Sequence, residues 1–250
     1  MKSINPILVL VFFVCISSCN DDPDQSTNVA FSFTHQVDGE PLVLDETAYQ
    51  NEAGNDYSVE TLKYFVSDFT LYPVEGDPIF IGGEHYVDAR ESYSWIWGPG
   101  TDVPFGEYTH ITFVFGLTPE QNVTGRFPDP PLSNMEWPMA MGPGYHYMKL
   151  EGKFDSLGTT KNYQCHTGQS MGEPYFVEVT LPNSGFTLSD YSIIEINMNI
   201  NNWWTGPNTM DLNDMTMIMG NAAMQQLVHE NGSDVFSLVS VTQGGRLSSL

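Results

Sequence analysis

The sequence is poor in cysteine, in basic residues and in long apolar runs, and each shortage excludes a class of protein. Only Cys15, Cys19 and Cys165 occur in 250 residues, and the first two fall in an N-terminal stretch that reads as an export signal. With Cys15 removed and Cys19 blocked, Cys165 has no partner within the mature chain. A disulfide scaffold is excluded, and an apolar core must hold the fold. Eight Lys and Arg stand against 31 Asp and Glu, a formal net charge of -23. A polyanion would be repelled by that average field, and no basic cluster opposes it locally, so no nucleic-acid partner is expected. The acidic excess is scattered, with Asp21, Asp22 and Asp24 its one tight group, the pattern of a solvated surface.

The apolar run from Ile7 to Val14 is too short to span a bilayer as a helix. It follows the basic start Met1-Lys2-Ser3 and ends at Ile16-Ser17-Ser18-Cys19, where small residues before a cysteine suit a signal peptidase. The reading is a lipoprotein signal over 1–18, lipidation at Cys19, a polar tether over 19–28 and one domain over 29–250. The membrane would then be a partner through the lipid anchor. The expected location is the cell envelope of a Gram-negative bacterium, facing the periplasm or the surface.

Catalytic signatures are absent as well. There is no Gly-x-Ser-x-Gly elbow, His-Glu-x-x-His pair, phosphate loop or Cys-x-x-Cys-His haem site, and the chain is not expected to be an enzyme.

What the chain has is aromatic and β-branched material, 41% hydrophobic and 13% aromatic, enough for one large core. Period-two alternation predicts strands over 29–37, 62–72, 108–115, 144–154, 163–167, 175–181, 193–201 and 235–241. Many short strands separated by Gly, Pro, Asn and Asp predict an all-β, mainly antiparallel two-sheet sandwich. One segment, Asp211 to Asn231, has helical spacing of Met215, Ile218, Met219, Ala222, Ala223 and Leu227, with Asp211 as cap and Asn231-Gly232 as stop. Its methionines read as core packing.

The richest chemistry lies in the stretch from Met135 to Phe154 and in Cys165-His166-Thr167-Gly168, where imidazole, thioether and thiol groups concentrate. Such ligands prefer soft metals such as copper over magnesium or calcium. Strand parity places His146 with Met148, Leu150 and Phe154 on an inward face, and Tyr145, Tyr147, Lys149 and Glu151 on a solvent face. His166 falls near a strand end, where ligands are easily presented. His110 is assigned to the surface, and His229 to the end of the helix, where it complements the dipole.

Seven segments, in order, resemble the MbnP-like copper-binding lipoproteins and periplasmic proteins. They are Phe31-Ser32-Phe33-Thr34-His35 with Asp38-Gly39, then Leu62 to Asp68, His85-Tyr86-Val87-Asp88 and Gly106-Glu107-Tyr108. Trp137 with Gly144-Tyr145, Lys149-Leu150-Glu151-Gly152 and His166-Thr167-Gly168 complete the set, which covers nearly the whole mature chain. The resemblance implies a β-sandwich that binds copper through histidines. In the best-known members a tryptophan oxidised to kynurenine takes part, the oxidation being done by a di-haem cytochrome c peroxidase-like partner. His166 matches the family's late histidine. The family's Trp-x-His pair should fall near 79–81, where this chain has Ile79-Phe80-Ile81. The metal set expected on this basis is His166 with His146 or His85, His35 as a further candidate, and Cys165 or a methionine as a soft contact. Trp97, Trp95 and Trp137 are the candidates for oxidation, Trp137 being the one expected to pack beneath the site. The expected role is copper acquisition or buffering. The alternative is a glycan-binding or adhesion lipoprotein using Trp95, Trp97, Trp203 and Trp204 for sugar stacking.

Overall fold

The computed structural model describes residues 25–181, 185–215 and 217–244. The export signal, Cys19 and the tether up to residue 24 lie outside the described residues. The main elements are β1 (Ser26–Val37), β2 (Thr61–Pro73), β3 (Ile79–Asp88), β4 (Gly106–Phe115), β5 (His146–Ser156), β6 (Thr159–Gly168), β7 (Val177–Leu181), β8 (Ser192–Asn199), the helix α1 (Ala222–Asn231) and β9 (Phe236–Gln243). Strand β1 begins inside the expected tether, where Ser26, Thr27 and Asn28 pair with Pro104, Val103 and Asp102.

The architecture is the expected all-β sandwich. A six-stranded sheet is built on the row β9–β8–β1, in which β1 and β8 run parallel, Val29 opposite Ser192. A nine-stranded antiparallel sheet is built around β2. Along one edge β2 pairs with β3. Its other edge is divided, residues 61–64 taking β5 and residues 66–73 taking β4. Alternation explains the inner layer: Phe31 and Phe33 of β1, Tyr64 and Val66 of β2, Leu150 of β5, Cys165 of β6 and Ile194 and Ile196 of β8 join one buried cluster with Trp203 and Trp204.

The outer face of the large sheet departs from expectation. Tyr145 and Tyr147, expected toward solvent, are buried with Phe65, Tyr86, Leu117 and Met135 in a second cluster. The connection between β4 and β5 folds back over the sheet, with Asn122 accepting a bond from the Tyr145 backbone N–H (2.8 Å) and Trp137 N–H donating to the Gly144 carbonyl (2.8 Å). Burial on both faces hides the alternation that a half-exposed strand would show.

The helix is shorter than the periodicity predicts. Residues 211–215 form a short 3₁₀ turn capped by Asp211, and α1 starts only at Ala222, capped by the Asn221 side chain, which accepts from the Met224 N–H (3.2 Å). Gly220-Asn221 is a stronger start signal than Asp211, since an Asn cap satisfies an otherwise orphaned donor. Asn231-Gly232 ends the helix as predicted.

Candidate metal centre

The hairpin β5–β6 closes through Leu157 and Gly158, both at positive φ (55° and 82°), the two-residue turn geometry that matches strand twist. This register places Lys149 opposite His166 and Leu150 opposite Cys165. His166 therefore shares the outer face with Lys149 and Glu151, and its Nε2 donates to Glu151 Oε1 at 2.6 Å. That hydrogen bond is the main reason the Glu151 carboxyl is held below the usual carboxylate range. Cys165 lies on the opposite face in the core, where burial pushes its thiol up. The expected thiol contact is thus corrected: neighbours in sequence on a strand point to opposite sides, and the Cys165 sulfur is directed away from the His166 ring.

His146 also departs from simple parity. The register shifts between His146 and Met148, so one extra residue is inserted opposite Thr167 and Gly168. A bulge of this kind turns two successive side chains to the same side. The His146 ring accordingly reaches the outer face, 5.1 Å from the His166 ring centroid, almost perpendicular to it, and 4.7 Å from Trp137. Its Nδ1 lies 2.9 Å from the Met135 carbonyl oxygen. A carbonyl only accepts, so this partner assigns the proton to Nδ1 and leaves a lone pair on Nε2. Burial, reinforced by the Lys149 charge, lowers the His146 pKa to about 3, which keeps the ring neutral and ligand-competent.

The third group is Met219, which the sequence assigned to core packing. It is half-buried, and its Sδ lies 3.4 Å from His166 Nδ1. With Nε2–H donating to Glu151, the tautomer that leaves Nδ1 unprotonated turns a ring lone pair toward the thioether sulfur. Metal bonds of about 2.0 Å to nitrogen and about 2.3 Å to sulfur would put two tetrahedral donors about 3.5 Å apart, so the spacing suits a shared ion. The segment carrying Met219 is fixed: Ser170 Oγ donates to its carbonyl (3.0 Å), and buried Gln225 of α1 donates to the His166 carbonyl (2.7 Å). Trp137 closes the pocket from the other side. Its ring sits so close to Gly168 that a Cβ there would approach to 2.6 Å, and its buried Nε1 has no hydrogen-bond partner among the described residues.

The other two candidate histidines form a separate region between the sheets. His35 Nε2 lies 3.1 Å from the Tyr64 hydroxyl, with Trp95 edge-on at 6.1 Å, and burial lowers its pKa to about 4 against a smaller opposing pull from Asp88. His85 Nε2 meets the Ser94 carbonyl at 2.7 Å, and its ring stacks between Phe33 and Trp97, 5.7 Å from each. Among the described residues no ring contact or hydrogen bond joins either of them to His146 or His166. Trp95 is held by its own Nε1 bond to the Asp88 carbonyl (2.9 Å). Trp203 and Trp204 are fully buried and present no face for sugar stacking, whereas Trp95 and Trp97 are half-buried.

No group of three or more His, Cys, Asp or Glu side chains among the described residues is placed to hold a metal ion. The donor set is two imidazoles and a thioether, with a carboxylate behind one imidazole. Glu151 and Met219 were not singled out from the sequence. The hairpin turn could have revealed Glu151, since a two-residue turn at 157–158 sets it diagonally across from His166; the alternation of Met215, Met217 and Met219 is the local mark of Met219, which helical spacing reads as core packing.

Fold and site define a β-sandwich with a soft-ligand pocket on the outer face of its larger sheet. The family model for MbnP matches residues 26–222, and the chain belongs to the MbnP family. Among solved structures, MbnP from Methylosinus trichosporium is similar in fold, with a TM-score of 0.59 at 13% identity, covering 88% of this chain and 100% of that one. No curated protein matches this sequence.

Proposed function

We propose that this protein is an exported copper carrier that holds one copper ion through His146, His166 and Met219, for acquisition or buffering in the cell envelope. The observation that carries the reading is the 3.4 Å approach of His166 Nδ1 to Met219 Sδ beside the neutral His146 ring. A thioether and two imidazoles at low coordination number suit Cu(I), whereas zinc and the harder divalent ions favour more imidazole, thiolate or carboxylate ligands than this pocket offers. The ion would supply charge that this neutral donor set lacks. Glu151 orients His166 and raises its basicity, the usual role of a carboxylate behind a metal-bound histidine. In this reading the chain is anchored by lipid at Cys19 and performs no catalysis of its own. A di-haem cytochrome c peroxidase-like partner would act on Trp137, the tryptophan against the pocket, in preference to Trp95 or Trp97.

The test is copper content after export into a copper-supplied periplasm, measured by elemental analysis for the wild type and for His166→Ala. About one copper per chain in the wild type, lost in the variant, is the expected result. A metal-free wild type would overturn the proposal.

A further inference from the structure

Methionine is normally a core residue, and Met135, Met148, Met198, Met210 and Met215 are buried here as expected. Among the described residues three others are strongly exposed: Met139 at 88%, Met171 at 79% and Met217 at 79%. Core packing gives no account of them. The remaining exposed large apolar residues, such as Val43, Val74, Phe80, Tyr93 and Leu157, are of mixed type and come from different turns and edges. The exposed methionines instead come from the segments that build the candidate metal centre.

Each stands in a segment that adjoins that centre. Met139 and half-buried Met141 occupy the 3₁₀ turn that follows Trp137 and Pro138, and Trp137 packs on His146. The Met141 methyl lies 3.1 Å from where a Cβ on Gly220 would stand, which sets it beside the Met219 backbone. Met171 follows Ser170, whose hydroxyl is bonded to the Met219 carbonyl. Met217 precedes Met219 by two residues on the same irregular segment. A recess of about 560 Å³, lined by Trp137, Pro138, Met139 and Pro143 among others, opens next to the Trp137 wall.

We infer that Met139, Met141, Met171 and Met217 form a thioether collar that takes up Cu(I) weakly from solution or from a donor and passes it to Met219, His146 and His166. The inference rests on the copper reading above and adds to it the route of entry and the oxidation state delivered. Thioethers bind soft monovalent copper and hold hard cations poorly, so the collar selects the ion before it reaches the imidazoles. Transfer is ligand exchange alone: one thioether bond to the ion breaks as the next donor bonds, the ion stays monovalent, and no proton or electron moves. The acidic field of the chain raises the local concentration of cations, and the collar supplies the softness that the field lacks.

The collar predicts a kinetic defect without an equilibrium one. Cu(I) is supplied as its bicinchoninate complex to the mature protein and to the variant M139L/M141L/M171L/M217L, and both transfer rate and equilibrium affinity are recorded. Leucine keeps the apolar bulk, and circular dichroism confirms that the variant is folded. The expected result is transfer slowed about tenfold, equivalent to roughly 1.4 kcal/mol in the barrier, with affinity unchanged. Titration of methyl-labelled protein with Ag(I) beyond the first equivalent should move the methyl resonances of these four methionines. Tight binding with an unchanged transfer rate overturns the collar and leaves the copper centre standing. A wild type that takes no Cu(I) at all overturns both.

Discussion

Four of the six histidines fall into two pairs, which differ in what their ring nitrogens are given to do. His146 and His166 lie on the outer face of the larger sheet, with a carbonyl on Nδ1 of one and a carboxylate on Nε2 of the other. Each partner accepts from the nitrogen it faces, and the opposite nitrogen of His166 faces a sulfur. His35 and His85 lie between the sheets, where Tyr64, Trp95, Phe33 and Trp97 pack around them and, among the described residues, no third donor is bonded to their rings. The residue type is the same in both places. Its role is set by the partner of the second nitrogen and by which face of a strand the ring leaves from.

The sharpest way to break this contrast is to delete each pair in turn. The double variant H146A/H166A is expected to lose stoichiometric copper while remaining folded. The double variant H35A/H85A should keep copper and lose about 1–3 kcal/mol of stability from removed packing, read by chemical denaturation. Copper lost from the second variant and kept in the first would reverse the assignment.

A smaller effect is expected from Glu151→Gln. An amide can still accept from His166 Nε2–H, but it no longer raises the basicity of the ring, and copper affinity should fall about 10–100-fold in a competition titration. An unchanged affinity would mean that the carboxylate serves only the hairpin.

Acid titration reads the burial of the pair between the sheets. Burial lowers the His35 pKa to about 4 from the 6.5 of a free imidazole, so between those values the unfolded chain binds a proton that the folded chain does not. Its contribution is complete above pH 6.5 and is lost as pH falls toward about 4. Replacing His35 by Gln should flatten the decline in denaturation midpoint over that window; a slope identical to wild type would show that His35 does not carry it.

Two glycine substitutions give the mildest test. An alanine Cβ at Gly168 would stand 2.6 Å from the Trp137 ring, and one at Gly83, at φ +79, would stand 2.7 Å from the Trp97 ring. The first should weaken copper binding by a few-fold, measured by competition, through displacement of the pocket wall. The second should lower the melting temperature and leave copper binding alone.

Most of the sandwich was legible because its strands alternate cleanly where one face is wet. All eight predicted strands are present within a few residues of their expected ends. The strand β3 was missed: Gly82 and Gly83, both at positive φ, and a register shift opposite Phe69 and Thr70 break its period. The pairing of His146 with His166 was readable as a concentration of soft ligands, but its geometry was not. A one-residue bulge reverses the face of His146, and a long connection buries the tyrosines that should have marked solvent. Met219 was hidden for another reason. Helical spacing made it look like core, whereas Asn221 starts the helix only beyond it and leaves the thioether free to meet His166.

Whether copper sits among two imidazoles and one thioether is read by X-ray absorption at the copper edge of the Cu(I)-loaded protein. Low-coordinate copper with two nitrogen scatterers and one sulfur is expected, the sulfur disappearing in Met219→Leu. A copper environment without sulfur, or one that Met219→Leu leaves unchanged, would contradict that arrangement.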